Sequence, residues 1–183
     1  AIGMTYVIIT GGIDLSVGAV VGLAGMVAGG MIQKGITLTM MGVTLYFDVP
    51  LVVLFTLIMG AVVGLVNGII ITKFGVAPFI ATLGTMYIAR GFSMLHSQGA
   101  TYSDIVGKEA LGNVGITFFG SRVLGIPVGA VILIIIAIVA GILLKKTTFG
   151  WHIFAIGGNE KAAKLSGIKV DKVKILVYIF SAV

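Results

Sequence analysis

Residues 123–174 read VLGIPVGAVILIIIAIVAGILLKKTTFGWHIFAIGGNEKAAKLSGIKVDKVK. The first part, 123–144, is almost wholly aliphatic, and residues 131–139 offer no polar position at all. A bilayer core takes about 20 apolar residues of helix, so this run predicts a span, part of it facing lipid. The second part, 145–174, holds seven of the ten lysines, the single Trp and one of the two His. A basic loop between apolar runs reads as cytoplasmic, because Lys and Arg are retained on that side. Within it, Gly157 and Gly158 lead into Asn159, Glu160, Lys161, Ala162 and Ala163. Asn159 is a good acceptor for an early helical N–H, and Glu160 sits at the positive end of the helix dipole. Gly167 can take the left-handed conformation that ends a helix. A helix over 159–167 is about two turns, on the order of 10 Å. It has no core of its own and needs a surface to lie against.

Composition places the whole chain in the same class. Of 183 residues 58% are hydrophobic and only 10% charged, against roughly 25% charged in a soluble domain. The formal charge of +6 sits beside apolar runs, where it sets orientation; it is not a nucleic-acid signature. There is no Cys, hence no disulfide framework and no reading of the redox compartment. No basic segment precedes the first apolar run, so no signal peptide is read. Both ends, 1–10 and 175–183, lie inside apolar stretches, which reads as the middle of a longer polypeptide.

Working outward along the chain, residues 1–10 read as the end of a helix. Residues 11–18, GGIDLSVG, break it at the paired Gly. Asp14 is either simply the N-cap of the next helix or part of a path. Residues 15–32 form a first full span with two small-residue repeats, Gly18/Gly22 and Gly25/Gly29, which let backbones approach in lipid. Residues 33–49 make a neutral connection, Lys34 against Asp48, whose TLTM segment at 37–40 grazes the interface. Residues 50–72 form the second span, with Pro50 in the first turn and one stripe of Gly60, Gly64 and Gly68. Asn67, near its end, either hydrogen-bonds between helices or faces a path. After a tight basic turn at 73–75, residues 76–95 form the third span. Its Arg90 either snorkels to the interface or lines a path, as an intramembrane charge does by default. Residues 96–122 are polar and Gly-rich, with Lys108 and Arg122 offset by Asp104 and Glu109.

Placing 145–174 in the cytoplasm and alternating gives eight Lys inside against Lys34, Lys108 and Arg122 outside, with Arg90 in the membrane. Alternation and the positive-inside bias therefore agree. The Gly11-Gly12 break falls on the inner side, or is buried in protein at depth. Chemistry is sparse. No G-x-x-x-x-G-K-[ST] run is present. The two His fall on opposite sides, which argues against a metal site. Ser16 and Asp14 have no His to complete a triad. Nothing calls for a cofactor, a catalytic residue or nucleic acid.

Three runs carry a resemblance. Residues 148–167, TFGWHIFAIGGNEKAAKLSG, closely resemble the cytoplasmic coupling loop of sugar ABC-importer permeases of the ribose/xylose/galactose type, in the branched-chain amino acid/ribose permease superfamily. GGIDLSVG at 11–18 resembles a recurring signature of the same group. Ala81-Thr82-Leu83-Gly84-Thr85-Met86 with Ala89-Arg90-Gly91 looks like its middle helix. The resemblance implies an all-α polytopic membrane protein: a transmembrane helix bundle with a cytoplasmic coupling helix, here a single permease domain over 1–183 truncated at both ends. It implies a bacterial inner-membrane transport subunit, not an enzyme, that forms the path for a monosaccharide such as ribose. The implied partners are an ABC ATPase subunit, an extracytoplasmic sugar-binding protein, a second permease chain (the same or a different one) and membrane lipid. The ATPase-docking residues would be Gly157, Gly158, Asn159, Glu160, Ala162, Ala163 and Gly167; Asp14, Asn67 and Arg90 are the path candidates. Small Ala162 and Ala163 suit close approach, and Lys161 and Lys164 suit acidic partner groups. The alternatives are a passive channel or secondary carrier, which would want paired acids or His in the spans, and, last, an intramembrane enzyme.

Overall fold

The computed structural model describes residues 2–38, 42–102, 105–107, 114–123 and 125–183. Ala1, Thr39, Met40, Asp104, Lys108 and Glu109, used above for boundaries and charge balance, lie outside them. The chain runs α1 (Ile2–Ile9), α2 (Val17–Gln33), β1 (Ile36–Leu38), β2 (Val43–Leu45), α3 (Val49–Lys73), α4 (Pro78–Ser97), α5 (Thr117–Gly120), β3 (Arg122–Val123), β4 (Ile126–Pro127), α6 (Val128–Lys146), α7 (Thr148–Gly158), α8 (Glu160–Leu165) and α9 (Val170–Ala182).

Helices dominate, but the fold is not purely α. β1 pairs antiparallel with β2, and β3 with β4. Glycines at positive φ, Gly42 at 64° and Gly125 at 80°, supply the turn conformations that a tight hairpin needs. The second hairpin moves a boundary. The apolar run expected as helix from residue 123 begins its helix at Val128, because Arg122–Val123 is paired back onto Ile126–Pro127. The other expected spans coincide with α2, α3 and α4 to within two residues at each end. Pro50 and Pro78 both sit in first turns, where a missing N–H costs nothing.

By length and apolarity α3 and α6 can each cross a membrane; α2 is apolar but 17 residues long. α4 carries Thr82, Thr85, Arg90, Ser93 and His96, and this polarity sets it apart. α6 is aliphatic outward as well: Leu133, Ile134, Ile135, Ile136, Ile138, Val139 and Ile142 are exposed, with Val128 and Ala140 its buried residues. An apolar face of that extent marks contact with lipid or with protein.

The close packing is α3 on α9 and α2 on α4, with α1 laid on α9. The Gly60/Gly64/Gly68 stripe is what admits α9. A Cβ on Gly68 would lie 2.8 Å from Ile175 Cα, and one on Gly64 2.7 Å from Ile179 Cα; on Gly60 it would meet the Ala182 carbonyl. The register, 68 to 175 and 60 to 182, makes the pair antiparallel. The repeat in α2 is used differently. Gly18, Gly22 and Gly25 face nothing within 4 Å, while Gly29 backs onto the Tyr102 ring.

Residues 145–174, expected as a loop bearing one short helix, are mostly helical. α6 stops at Lys146 and turns sharply into α7. The Thr147 side chain accepts from Gly150 N–H (3.3 Å) and donates to the Leu143 carbonyl. α7 then buries Ile153 and Ile156 in the main core with Tyr6, Val173, Val177 and Tyr178. Tyr6 at the centre donates to the Ala140 carbonyl, tying α1 to α6.

Candidate functional site

Two places collect the expected residues. The first is the break between α1 and α2. Its Gly11 is exposed at φ 76°, but Asp14 is 2% and Ser16 0% exposed. Asp14 is not the N-cap of α2. Its side chain folds back on Ser16, accepting from Ser16 N–H (3.0 Å) and Ser16 Oγ (2.6 Å); Ser16 takes the N-cap position, with no side-chain cap bond of its own. This is the Asx pattern, a carboxylate bonding the N–H two residues on.

Three other helices converge there. Ser181 Oγ, on α9, donates to Asp14 Oδ2 at 3.0 Å. Asn67 Nδ2, on α3, donates to Ser16 Oγ at 3.1 Å. Thr85 Oγ1, on α4, donates to Asn67 Oδ1 at 2.5 Å. Thr82, fully buried one turn earlier, bonds the Pro78 carbonyl (2.8 Å) and sits 3.5 Å from that of Ile13. Apart from Thr82, the donors run toward the carboxylate: Thr85 to Asn67, Asn67 to Ser16, Ser16 and Ser181 to Asp14. The members of such a chain polarise one another. No buried side-chain polar atom among the described residues lacks a partner. The network is a strut holding an interrupted backbone between helices.

Of the path candidates, the structure joins Asp14 and Asn67 through Ser16. It leaves Arg90 apart, exposed on α4. Sequence reasoning missed Thr85 and Ser181 as members. The signal that finds them is the general one that polar side chains in apolar helices seek partners.

The second place is α8. Asn159, extended at φ −158°, accepts from Ala162 N–H at 3.0 Å, and Glu160 opens the first turn. At the other end Gly167 has φ 87°; its N–H bonds the Lys164 carbonyl and Ile168 N–H that of Ala163, each at 3.1 Å. This is a Schellman closure, so the capped helix expected over 159–167 is present, as Glu160–Leu165. Gly157 and Gly158 close α7 instead of preceding a free helix, and Gly157 packs against the Ile9 carbonyl. Glu160 reaches Lys174 on α9 at 2.7 Å.

The two alanines part company. Ala163 is 5% exposed and belongs to the chain's own core, whereas Ala162 is exposed. Neighbouring residues on a helix lie about 100° apart, and here one is turned inward and the other outward. The outward surface of α8 is Lys161, Ala162, Lys164 and Leu165, the last 90% exposed. Leu165 was not singled out by sequence. No group of three or more potential metal ligands occurs among the described residues.

Comparison with known proteins places the chain. It matches, over residues 1–183, the family described as branched-chain amino acid transport system / permease component. A ribose import permease protein of Bacillus subtilis is 46% identical over 179 residues, 97% of this chain and 51% of that one. The ribose import permease protein of Haemophilus influenzae is 39% identical over 185 residues, covering 99% and 52%. A galactose/methyl galactoside import permease protein of the same organism is 36% identical over 183 residues, covering 99% and 54%. No solved structure matches. The chain spans about half the length of the curated relatives it matches. It belongs to this permease family, and the long apolar helices α3 and α6 agree with a membrane protein.

Proposed function

From that membership we propose that this chain is part of the membrane permease of an ATP-driven sugar importer of the bacterial inner membrane. It forms the path for a monosaccharide such as ribose and docks an ATPase through α8. The path would be completed by a second permease chain and fed by an extracytoplasmic sugar-binding protein. The bundle would be polytopic, with α2, α3, α4 and α6 as spans, the Lys145–Lys174 side cytoplasmic, and α8 as the coupling helix. The permease needs no catalytic residue or cofactor of its own.

The observation that carries this is the way α8 is mounted. It is capped at both ends, anchored by Ala163 and by Glu160–Lys174, and presents Ala162 and Leu165 outward. It feeds directly into α9, whose far end holds Asp14 through Ser181. A push on α8 would reach the broken helix along one packed element. The physical requirement is that the ATPase binds two permease arrangements with different affinity and so shifts their populations.

Ala162→Arg tests the reading. A charge left unpaired in a packed contact costs several kcal/mol, and each 1.4 kcal/mol is about tenfold in affinity. The ATPase should fall away on co-purification by about a hundredfold and sugar uptake should stop, while membrane insertion is kept because Ala162 contacts no core. Leu165→Asp should act alike. Full retention of the ATPase together with full uptake would remove α8 as the docking element.

One observation favours a second reading, a carrier coupled to an ion: Asp14 is buried. Among the described residues its side-chain partners are Ser16 and Ser181, with no His or second carboxylate bonded to it. Uptake that persists without the ATPase and collapses with the proton gradient would select the carrier.

A further inference from the structure

Between the start of α7 and the turn from α8 into α9 lies an open cleft of about 500 Å³, walled by Thr148, His152, Ser166, Lys169, Lys172 and Leu176 among others. A smaller hollow of about 260 Å³ continues past Lys169 and Lys172 to Lys73 and Lys164. No carboxylate lines the larger cleft. The two acids nearby are engaged elsewhere, Asp171 with Lys73 at 3.6 Å and Glu160 with Lys174. Among the described residues Lys169 and Lys172 have no ion-pair partner. Ser166 Oγ already donates to the Ala162 carbonyl at 3.0 Å, so the wall offers two unpaired ammonium groups, an imidazole and the Thr148 hydroxyl, a donor set suited to a phosphate oxyanion.

The same face of α9 changes character along its length. Lys169, at the N-cap, and Lys172 are followed at helical spacing by Leu176, 51% exposed. Seven residues, on the order of 10 Å, separate Lys169 from Leu176. A cationic foot leading to an open apolar side chain matches the boundary between headgroup and acyl chain. Trp151, 68% exposed, and Phe154 stand on the adjoining α7, the kind of side chains that settle at that boundary.

We propose that this cleft seats the phosphodiester headgroup of one anionic phospholipid, its acyl chain leaving past Leu176. The proposal rests on the membrane orientation given above, but lipid binding is read without transport or ATPase, so the two readings fail separately. A free phosphate would use the same cations and hydroxyl but not Leu176. An acidic protein surface would use the cations but leaves the exposed Leu176 and Trp151 unexplained.

The test is native mass spectrometry of the delipidated full-length permease with phosphatidylglycerol or phosphatidylcholine of equal chain length. One phosphatidylglycerol should be retained per chain, and phosphatidylcholine should not. Lys169→Gln with Lys172→Gln should weaken retention by roughly thirtyfold, the worth of two lysines at an anionic lipid surface. Lys34→Gln with Lys161→Gln removes equal charge elsewhere and should change it little. Equal loss in both pairs would mean general charge attraction and would overturn the site. Displacement of the lipid by millimolar inorganic phosphate would assign the cleft to a free anion. Unchanged lipid retention in Lys169→Gln/Lys172→Gln, with loss of the ATPase, would assign it to the protein contact.

Discussion

Gly64→Ala adds one methyl group at the point where α3 and α9 touch. The new Cβ would stand 2.7 Å from Ile179 Cα and 2.9 Å from Ile179 N. Comfortable contact between such atoms begins at about 3.5 Å. The obstructing atoms are backbone, so no rotamer change relieves them, and the helices must part by about 1 Å. Ser181 lies two residues beyond Ile179, with its hydroxyl 3.0 Å from Asp14. A displacement of about 1 Å takes that pair to about 4 Å, past hydrogen-bond range. Overpacking costs about 1–3 kcal/mol, and a lost bond to a charged acceptor about 1.5–3 kcal/mol. Replacing Gly by Ala in a helix returns about 1 kcal/mol. The net expectation is a loss of about 1.5–5 kcal/mol. Gly22→Ala meets nothing within 4 Å and should only gain helix propensity, up to about 1 kcal/mol. The assay is denaturant unfolding of the purified permease in detergent, followed by circular dichroism. Ser181→Ala should cost about 1–3 kcal/mol in the unmodified chain and little more in the Gly64→Ala background, where its bond is already gone. Gly64→Ala within about 0.5 kcal/mol of the parent would refute the tight α3–α9 contact and the strut that depends on it.

Three further outcomes follow from the same contacts. Thr85→Val leaves the Asn67 carbonyl oxygen buried without its donor, a loss of about 1–3 kcal/mol; combined with Asn67→Ala it should be non-additive by about 0.5–3 kcal/mol, and strict additivity would break the network apart. Asn159→Ala removes the cap of α8 and should cost about 0.5–2 kcal/mol, read as faster hydrogen exchange confined to 160–165; unchanged exchange would show that the cap holds nothing. Arg90 is exposed and apart from the strut, so Arg90→Lys and Arg90→Ala should insert normally, and uptake alone decides its role: normal transport by both variants removes it from the path.

The local signals in this chain were strong wherever the cause was local. Apolar length marked where α2, α3, α4 and α6 lie, because hydrocarbon thickness and helical rise are fixed quantities. Asn159 and Gly167 marked the ends of α8, because caps act within one turn. Small residues four apart marked α3 as a close-packing helix, but the same spacing in α2 meets open space at Gly18 and Gly22; a repeat states that backbones can approach and not that they do. The strut at Asp14 was beyond reach because its members stand 51, 18 and 167 residues apart in their bonded pairs. Asp14 read equally as a cap or as part of a path until Ser181 and Asn67 could be placed beside it and its neighbour Ser16. Adjacent Ala162 and Ala163 read alike, and only the packing of α8 on α9 turned one outward and the other into the core. Sequence determined which segments become helices and where they end, since those choices answer to solvent and to near neighbours. Tertiary structure decided which faces meet, because a contact free energy depends on both surfaces and each residue specifies only one.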